Sequence, residues 1–345
     1  MKPTHVCGGF NRKLARIKMG VRIQHVTTFL LCAAVLYLTL SLVAERQEKR
    51  SLDEQLGAAQ LKLTQFEESV NPIRAGLVPK PRPHRPDIPV IVAITPTFTR
   101  PTQKADLTRL SLTLRHVPNF HWILVEDSMT KTAKVTRFLS TCGLHYTHLN
   151  TRTPEDMQLV SREPRWHKHR GVEQRNLGLS YILEHADEFL PESQNAIVYF
   201  MDDDNTYSLE LFDDMRFIKK VGVWPVGLVG GLLWEGPVCN SEGVIGFHSL
   251  WRTDRFFPMD MAGFAVNLRT LREHSEARLD PSVHFGFLES TFLSLLLSNR
   301  RDLMEPRADL CRKILVWHTR TEKANMKREK ELNAKGQQSD PALDV

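Results

Sequence analysis

Ala196-Ile-Val-Tyr-Phe-Met201 runs directly into Asp202-Asp203-Asp204-Asn205. An unbroken apolar run of this length is typical of a strand that is buried on both faces of a parallel sheet. In open α/β sheets ligands bind beyond the carboxyl ends of the strands, and Mg²⁺ or Mn²⁺ is held by carboxylate and phosphate oxygens. The junction therefore predicts a site for a metal ion and a diphosphate. The alternative is a solvated acidic turn that caps a following helix at 208–220.

Two earlier apolar runs end in the same way. Val90–Thr95 is followed by Pro96-Thr97-Phe98, and His121–Asp127 ends in two acids, with a helix-like stretch at 104–116 between the two runs. Strand, helix and strand in this order predict a parallel, nucleotide-binding sheet. The chain contains neither GxGxxG nor GxxxxGK[ST], which argues against a dinucleotide fingerprint or a P-loop. Asp127 is placed to hydrogen-bond a uracil or a ribose.

The chain beyond Asn205 has a different pattern of predicted elements. We expect strands of a mixed sheet at Val226–Leu232, Val244–Leu250, Ala262–Leu268 and Lys313–Trp317, and helices at Leu288–Ser298 and after Arg320. The predicted organisation is a parallel-sheet, nucleotide-binding half up to about residue 205 and a mixed-sheet half after it.

Composition bounds the class of protein. With 345 residues, 41% of them hydrophobic and 25% charged, the chain holds one large or two modest domains and is neither disordered nor fibrous. Residues 1–25 contain six basic residues and no acid, which matches the whole formal net charge of +6. The remainder is close to neutral, so nucleic acid is not an expected partner.

Residues 26–44 carry no charge and are about long enough to cross a bilayer as a helix. Because the basic residues precede this span, residues 1–25 are predicted to be a cytosolic tail and the rest to be lumenal, as in a single-pass type II membrane protein. A cleaved signal peptide is the alternative.

Residues 45–88 are predicted to form a stem. Prolines at 72, 79, 81, 83, 86 and 89 indicate an extended spacer in its second half. The first half carries a heptad-like seam, which predicts a short dimerising coiled coil or, alternatively, one amphipathic helix packed on the globular part. The seam consists of Leu52, Leu56, Ala59, Leu63, Phe66 and Val70.

Three of the five cysteines, Cys142, Cys239 and Cys311, follow the predicted span. An oxidising compartment would allow one disulfide among them, but the sequence does not specify the pairing. The chain has no Asn-x-Ser/Thr sequon, so N-glycosylation is not expected.

Several motifs follow one another along the chain: Pro96-Thr97-Phe98, Val-Glu-Asp127, Arg170-Gly-Val-Glu-Gln-Arg-Asn176, Tyr-Phe-Met-Asp-Asp-Asp-Asn-Thr-Tyr207, Trp224-Pro-Val-Gly-Leu-Val-Gly-Gly231, Glu235-Gly-Pro237, Asp260-Met-Ala-Gly-Phe264, Leu288-Glu-Ser290 and Val316-Trp-His-Thr-Arg-Thr-Glu-Lys323. In these motifs the chain, from about residue 89 to the end, resembles the animal β-1,3-glucuronosyltransferases. The tail, with Met326-Lys327 and Ser339-Asp-Pro-Ala342, resembles the proteoglycan-linkage branch more than the branch that builds a neural carbohydrate epitope.

The resemblance implies a GT-A fold, with a UDP-sugar-binding subdomain at 89–205 and an acceptor-binding subdomain at 206–345. It further implies UDP-glucuronate as donor, Mn²⁺ as cofactor and inversion at the anomeric carbon. It implies a galactose acceptor at the end of a Gal-Gal-Xyl-Ser stub, a homodimer and the Golgi membrane as location. Asp204 would bind Mn²⁺, with Asp202 and Asp203 contacting ribose and bound water. Pro96, Thr97 and Phe98 would line the uridine pocket beside Asp127. The family often has Tyr where this chain has Phe98, so stacking on uracil is kept and a hydroxyl contact is lost.

Basic residues suit the anionic donor. Arg170 and Arg175 are candidates for charge-assisted hydrogen bonds to the diphosphate or the glucuronate carboxylate, and surface salt bridges are the alternative. His318 and Arg320 alternate along an extended segment, with Thr319 between them, so both can face the donor. His318 would stabilise leaving-group charge and Arg320 the glucuronate carboxylate. A structural histidine is the alternative for His318.

Glu289 is the candidate general base. An inverting displacement needs one carboxylate to take the proton from the attacking hydroxyl while a metal ion stabilises the departing UDP. Phe285, Phe287, Leu288 and Phe292 surround it in the sequence, and such a setting raises a carboxyl pKa. A simple helix-start acid is the alternative.

Glu235, Trp251, Arg255 and Asp260 are candidate acceptor residues, because a sugar presents an apolar face and a rim of hydroxyls. In the family a C-terminal residue of the partner subunit also reaches the acceptor. That position is Arg328 here, where an amide is more usual. Trp251 as an ordinary core residue is the alternative.

Three other functions compete with this interpretation. A relative that acts on N-acetyllactosamine ends would share the donor site and differ in acceptor contacts. A metal-dependent phosphohydrolase would use the aspartates but lacks a nucleophile motif. A catalytically silent, membrane-tethered lectin would have no use for a nucleotide site.

Overall fold

The computed structural model describes residues 30–60, 62, 79–158, 168–190 and 195–339. The chain divides into two compact units, Met1–Leu77 and Val78–Val345. In the first unit α1 (Leu30–Gln60) is the only helix in the described ranges that is long and apolar enough to cross a membrane, with a mean hydropathy of 1.4. It fits a single-pass anchor. It continues past residue 44, so the predicted end of the span is not a break in the helix.

The stem predictions are only partly visible. Leu52 and Leu56 lie on α1 and are exposed. Leu63, Phe66 and Val70, like residues 1–29 and 71–78, lie outside the described residues.

The second unit is built on a seven-stranded sheet with the order β11-β6-β10-β4-β1-β2-β3. The parallel strands β1, β2, β3 and β4 form one side, while β10 is antiparallel to both β4 and β6. Their bounds are β1 (Val90–Thr97), β2 (Phe120–Glu126), β3 (His145–Asn150), β4 (Ala196–Phe200), β6 (Val221–Val223), β10 (Phe264–Asn267) and β11 (Met304–Pro306).

Helices cover both faces of this sheet, which explains why its central strands are apolar at consecutive positions. One face packs on α4, α6 and α7, and the other on α2, α3 and α5. The helices are α2 (Gln103–Leu114), α3 (Ala133–Thr141), α4 (Val172–Phe189), α5 (Leu209–Met215), α6 (Leu268–Glu273) and α7 (Leu288–Leu297).

A smaller, five-stranded sheet has the order β5-β12-β7-β8-β9. Its strands are β5 (Thr206–Tyr207), β7 (Val226–Gly227), β8 (Trp234–Asn240), β9 (Gly243–His248) and β12 (Val316–Trp317). Cys239 on β8 forms a disulfide with Cys311, while Cys142 is free and buried. Cys311 ends α8 (Ala308–Cys311), a left-handed turn in which all four residues have positive φ. The last helix is α9 (Lys327–Asn333).

Several predicted elements differ from the structure. The strand predicted at Val226–Leu232 stops after Gly227, because Leu228 and Gly230 adopt positive φ and turn the chain. The strand predicted at Lys313–Trp317 is only Val316–Trp317. The helix predicted at 208–220 ends at Met215. The segment around Ala262 forms a 3-10 turn before β10, and β10 pairs with β4 in the larger sheet.

Candidate active site

The carboxyl ends of the parallel strands meet at one edge of the larger sheet. Thr97 is in register with Glu126, and the backbone N–H of Asp127 donates to the Thr97 carbonyl at 2.8 Å. On the other side of β1, Ile94 is in register with Phe200, two residues before Asp202. The sheet therefore brings the ends of β1, β2 and β4 together, as the sequence predicted.

Asp203 is buried and held by two donors. Thr97 Oγ1 donates to Asp203 Oδ2 at 2.7 Å, and Arg100 Nη2 lies 2.7 Å from Asp203 Oδ1. Burial raises the pKa of Asp203 to about 6, and the Arg100 charge opposes this. Its carboxylate is thus committed to the protein on both oxygens.

Asp202 forms an ion pair with Arg175 in the first turn of α4. Arg175 Nη1 also donates to the Arg170 carbonyl at 2.9 Å. Between them Gly171 has a φ of +69°, and a Cβ there would lie 2.6 Å from Arg175 Nη1 and 3.2 Å from Pro96. Glycine therefore allows α4 to start close against the end of β1.

The Asp204 carboxylate is half-buried. Burial and the nearby Asp202 charge raise its pKa, and among the described residues no group donates a hydrogen bond to it. Its backbone carbonyl accepts from Thr319 Oγ1 at 2.6 Å. Of the three aspartates, Asp204 has the carboxylate best suited to bind a cation.

The described ranges contain no group of three or more His, Cys, Asp or Glu side chains arranged to hold a metal ion. The protein alone therefore does not form a closed metal cage there. A single available carboxylate does fit Mg²⁺ or Mn²⁺, because such ions are commonly held by one or two carboxylates together with substrate phosphates and water.

His318 and Asp260 form a half-buried pair. His318 Nδ1 lies 3.2 Å from Asp260 Oδ2, and the hydrogen bond to Asp260 raises the pKa of His318 to about 8. Burial acts to raise the pKa of Asp260, but the hydrogen bond and charge of His318, together with the Ala262 N–H and the Arg175 charge, lower that pKa overall. Asp260 also accepts from the backbone N–H of Ala262 at 2.9 Å and so caps the turn before β10.

Glu289 lies in the first turn of α7. Burial raises its pKa to about 7, and the Asp260 charge acts in the same direction. Asp260 is therefore close enough to act electrostatically on both His318 and Glu289. A carboxyl with a pKa near neutrality is suited to general base catalysis.

Glu235 on β8 and Arg255 form a buried ion pair with 2.6 Å between Oε1 and Nη2. Ser249 also donates to this carboxylate. The Arg255 guanidinium lies 5.3 Å from the ring centroid of Trp251, whose edge meets Gly286 three residues before Glu289. Trp251 is 41% exposed, so it is not an ordinary core residue.

Four predicted site residues make no hydrogen bond or ion pair with Asp202, Asp203, Asp204, His318 or Glu289 in the described part of the chain. Phe98 is 49% exposed, and its ring lies 4.8 Å from the Arg100 guanidinium. Asp127 accepts from Thr153 N–H at 2.8 Å and Oγ1 at 2.7 Å. Arg320 and Arg328 are exposed, and no contact joins them to the other candidates in the described part of the chain.

Sequence reasoning missed Arg100, Thr153 and Ser249, which bind Asp203, Asp127 and Glu235. A signal existed only for Arg100, a lone cation directly after β1 and near three carboxylates of the same sheet edge. Thr153 and Ser249 have no distinctive sequence context.

A cavity of about 290 Å³ lies at the opposite end of the larger sheet, where β1 and β2 begin. Arg82, Arg115, His121, His145 and Phe189 are among its lining residues. It is separate from the aspartates.

An α/β fold with carboxylates at the strand ends, two basic groups beside them and the separate, half-buried Glu289 has the features of an enzyme that uses a nucleotide-linked substrate. Residues 110–322 match the profile of glycosyltransferase family 43. The chain belongs to this family.

Curated relatives are similar over most of their length. The chain is 46% identical over 302 residues to galactosylgalactosylxylosylprotein 3-beta-glucuronosyltransferase 3 of Mus musculus, covering 86% of this chain and 89% of that protein. It is 46% identical over 264 residues to galactosylgalactosylxylosylprotein 3-beta-glucuronosyltransferase I of Drosophila melanogaster, covering 75% and 84%. The family, the α/β fold and the enzyme class predicted from the motifs are confirmed.

Among solved structures, the chain is similar to S. aureus TarS 1-349 in complex with UDP-GlcNAc, with a TM-score of 0.42 and 18% identity over 69% of this chain and 60% of that one. This likeness is too distant to support an argument about function.

Proposed function

We propose that this protein transfers glucuronate from UDP-glucuronate to the 3-hydroxyl of the terminal galactose of a Gal-Gal-Xyl-Ser acceptor, with inversion. The names of the curated relatives support the donor and the acceptor. Membership of a glycosyltransferase family favours transfer over a phosphohydrolase or a silent lectin.

The observation that carries the proposal is that Asp260 interacts with both His318 and Glu289, to which different roles are assigned. Asp260 contacts His318, which follows the strand beside the aspartates, and it raises the pKa of Glu289. A basic group for a diphosphate and a carboxyl for proton transfer therefore belong to one connected site.

The donor would bind along the strand ends. Thr97 and Asp127 suit the uridine side, where Phe98 offers an exposed ring for stacking. Arg175, one turn into α4, suits the diphosphate or the glucuronate carboxylate, while Arg170 and Arg320 supply further positive charge. In this proposal Asp203 holds Thr97 in place, and Asp202 fixes Arg175.

Asp204 would hold Mn²⁺ together with the donor phosphates. When bound, the ion supplies positive charge for the departing diphosphate. His318, with a pKa of about 8, carries a proton at neutral pH and adds positive charge on the same side. Thr319 fastens the His318 segment to the Asp204 backbone.

Proton removal is assigned to Glu289. Because its pKa is about 7, a substantial fraction of this carboxylate is ionised at neutral pH and able to take the proton of the attacking galactose hydroxyl. Trp251 presents a ring to the apolar face of the sugar, and Glu235 with Arg255 holds the Trp251 loop. Arg328 of a second copy would complete the acceptor site.

The proposed location is the Golgi membrane, with α1 as a type II anchor, the catalytic unit in the lumen and a homodimer formed in part through the stem. The disulfide Cys239–Cys311 supports a lumenal position, because disulfides persist in oxidising compartments.

The test is transfer by the full-length protein in detergent with Mn²⁺. UDP-glucuronate is offered with UDP-glucose as the control donor, and Galβ1,3Gal with N-acetyllactosamine as the second acceptor. We expect product only with UDP-glucuronate and predominantly on Galβ1,3Gal. Product mainly on N-acetyllactosamine would overturn the acceptor, and product from UDP-glucose alone would overturn the donor.

A further inference from the structure

Asp106 on α2 is a fully buried carboxylate with three donors: Arg100 and Arg109 are near it in the sequence, and Thr321 is distant. Arg100 Nη2 donates to Oδ2 at 2.8 Å, and Oδ1 accepts from Arg109 Nη2 at 3.1 Å and Thr321 Oγ1 at 2.5 Å. The Asp106 side chain is 0% exposed. A charge this deeply buried is retained only where its partners compensate for lost hydration.

The first arm of this network leads to Asp202, Asp203 and Asp204, here called the aspartate rim. The same Arg100 Nη2 that binds Asp106 also lies 2.7 Å from Asp203 Oδ1. Asp203 in turn accepts from Thr97 Oγ1, and Gln103 Nε2 donates to that hydroxyl at 3.1 Å. Asp106 therefore fixes the guanidinium that orients Asp203.

The second arm leads to the segment 318–321, here called the docked segment. Its hydrogen bonds include those of His318 to Asp260, Thr319 to the Asp204 carbonyl, and Thr321 to Asp106. Thr319 also bonds the Thr206 hydroxyl, and Thr321 Oγ1 also accepts from Arg109 Nη2. Arg320 lies between Thr319 and Thr321. It is exposed, and within the described ranges its guanidinium has no hydrogen-bond partner.

We propose that Asp106 is a positioning residue for the donor site. By binding Thr321 and Arg100 together, it holds the docked segment at a fixed distance from the aspartate rim, so that a nucleoside diphosphate sugar binds between Arg320 and Asp204. The proposal rests on the proposed function for the identity of this ligand. The preorganised spacing stabilises donor binding because less ordering is needed when the ligand arrives.

A merely structural role for Asp106 makes a different prediction. Loss of a buried ionic network that only stabilises the fold lowers the melting temperature and weakens the donor and acceptor steps together. Loss of a positioning contact raises the KM for the donor and the Kd for UDP, and leaves the acceptor KM unchanged.

The decisive variant is Thr321→Val, which removes one hydroxyl and leaves Asp106 with both arginines. UDP binding is measured by calorimetry on the full-length protein in detergent with Mn²⁺, and donor and acceptor KM are measured in parallel. We expect UDP affinity to fall about five- to tenfold and the acceptor KM to change by less than about twofold. Thr108→Val, an exposed threonine on the same helix whose hydroxyl bonds only to the Lys104 carbonyl, is the matched control.

Asp106→Asn and the double variant extend the test. Thr321 Oγ1 bonds Asp106 and Arg109, and Arg109 itself binds Asp106. Because both contacts depend on Asp106, adding Thr321→Val to Asp106→Asn should weaken UDP binding by no more than about twofold beyond the single variant. If Asp106→Asn does not fold, the Thr321→Val result decides alone.

Two results would overturn the inference. The first is a UDP affinity of Thr321→Val equal to that of the wild type, and the second is an equal rise in the KM for the donor and the KM for the acceptor. UDP binding is measured without transfer, so the two proposals can be told apart. If the wild type binds UDP, Thr321→Val weakens that binding and no glucuronate is transferred, only the proposed function is contradicted. If the wild type does not bind UDP, both proposals are contradicted.

Discussion

At the scale of single residues, Glu289 determines the expected pH dependence of kcat/KM on the acid side. Its pKa is raised to about 7 by burial, and a base acts only when ionised, so kcat/KM should rise with pH through about 7. His318, with a pKa of about 8, loses its proton above that value, and activity should then decline. Steady-state rates between pH 5 and about 9.5 would show this bell.

Glu289→Gln removes the base and keeps the shape. We expect kcat to fall by about 10²- to 10⁴-fold, while UDP affinity stays within about twofold of the wild type. The raised pKa means that the folded state binds the proton more tightly than the unfolded chain, so ionisation of Glu289 lowers stability as pH rises from 4.5 through about 7. Glu289→Gln should therefore have a higher melting temperature than the wild type at pH 8, but not at pH 4. Wild-type turnover in this variant would disprove the assignment.

The Glu235–Arg255 pair is expected to matter for stability as well as for the acceptor. The two side chains are only 3% and 4% exposed, and Arg255→Met leaves a buried carboxylate without its counter-ion. We expect a loss of about 3–5 kcal/mol in the free energy of unfolding, measured by chemical denaturation.

Arg312→Met is the control for this prediction, because the Arg312–Asp309 pair is exposed at 67% and 50%. Its loss should cost no more than about 1 kcal/mol. If the two variants lost the same free energy of unfolding, burial would not explain the contribution of the Glu235–Arg255 pair to stability.

At the scale of elements, the loop before α7 joins Trp251, the proposed acceptor platform, to Glu289, the proposed base. Gly286 has a φ of +96°, and a Cβ there would lie 2.3 Å from Trp251 Cη2. Gly286→Ala should displace Trp251 and raise the acceptor KM by about tenfold with little change in the donor KM, as measured by steady-state kinetics.

Gly246→Ala on β9 is the control, since a Cβ at this position meets no atom within 4 Å. An unchanged acceptor KM in Gly286→Ala would remove Trp251 from the acceptor site.

The elements that the sequence predicts well are those whose signal is local. The apolar runs of β1, β2 and β4 and the acids that end them were recognisable because a strand buried on both faces needs such a run. β3 was missed because its six residues are partly exposed and include two histidines. β6 and β11 have only three residues each, and Val226–Leu232 was overestimated because turn geometry at Leu228 outweighs its apolar composition.

At the scale of the whole molecule, the site depends on contacts that no local pattern contains. Thr321 and Asp106 are 215 positions apart, and His318 and Asp260 are 58 apart. Family motifs predicted the individual aspartates, but the pairing of Arg100 with Asp203 follows only from the pairing of β1 with β4, which brings the loop after β1 beside the residues that follow β4. The sequence thus predicts the candidates and the fold establishes their partners.

The disulfide is the long-range covalent link in the catalytic unit. Cys239 and Cys311 are separated by 72 positions, so their bond removes much conformational freedom from the unfolded chain. Cys239→Ser with Cys311→Ser should lower the free energy of unfolding by about 2–4 kcal/mol in urea denaturation. Stability equal to that of the oxidised wild type would mean that the bond contributes little.

The anomeric configuration of the product decides whether the protein transfers glucuronate with inversion. UDP-glucuronate carries an α-linked sugar, so NMR of the product formed on Galβ1,3Gal should show a β-configured glucuronate on O3 of the terminal galactose. An α-configured product would contradict inversion with Glu289 as base, and the absence of any glucuronate product would contradict the proposed function itself.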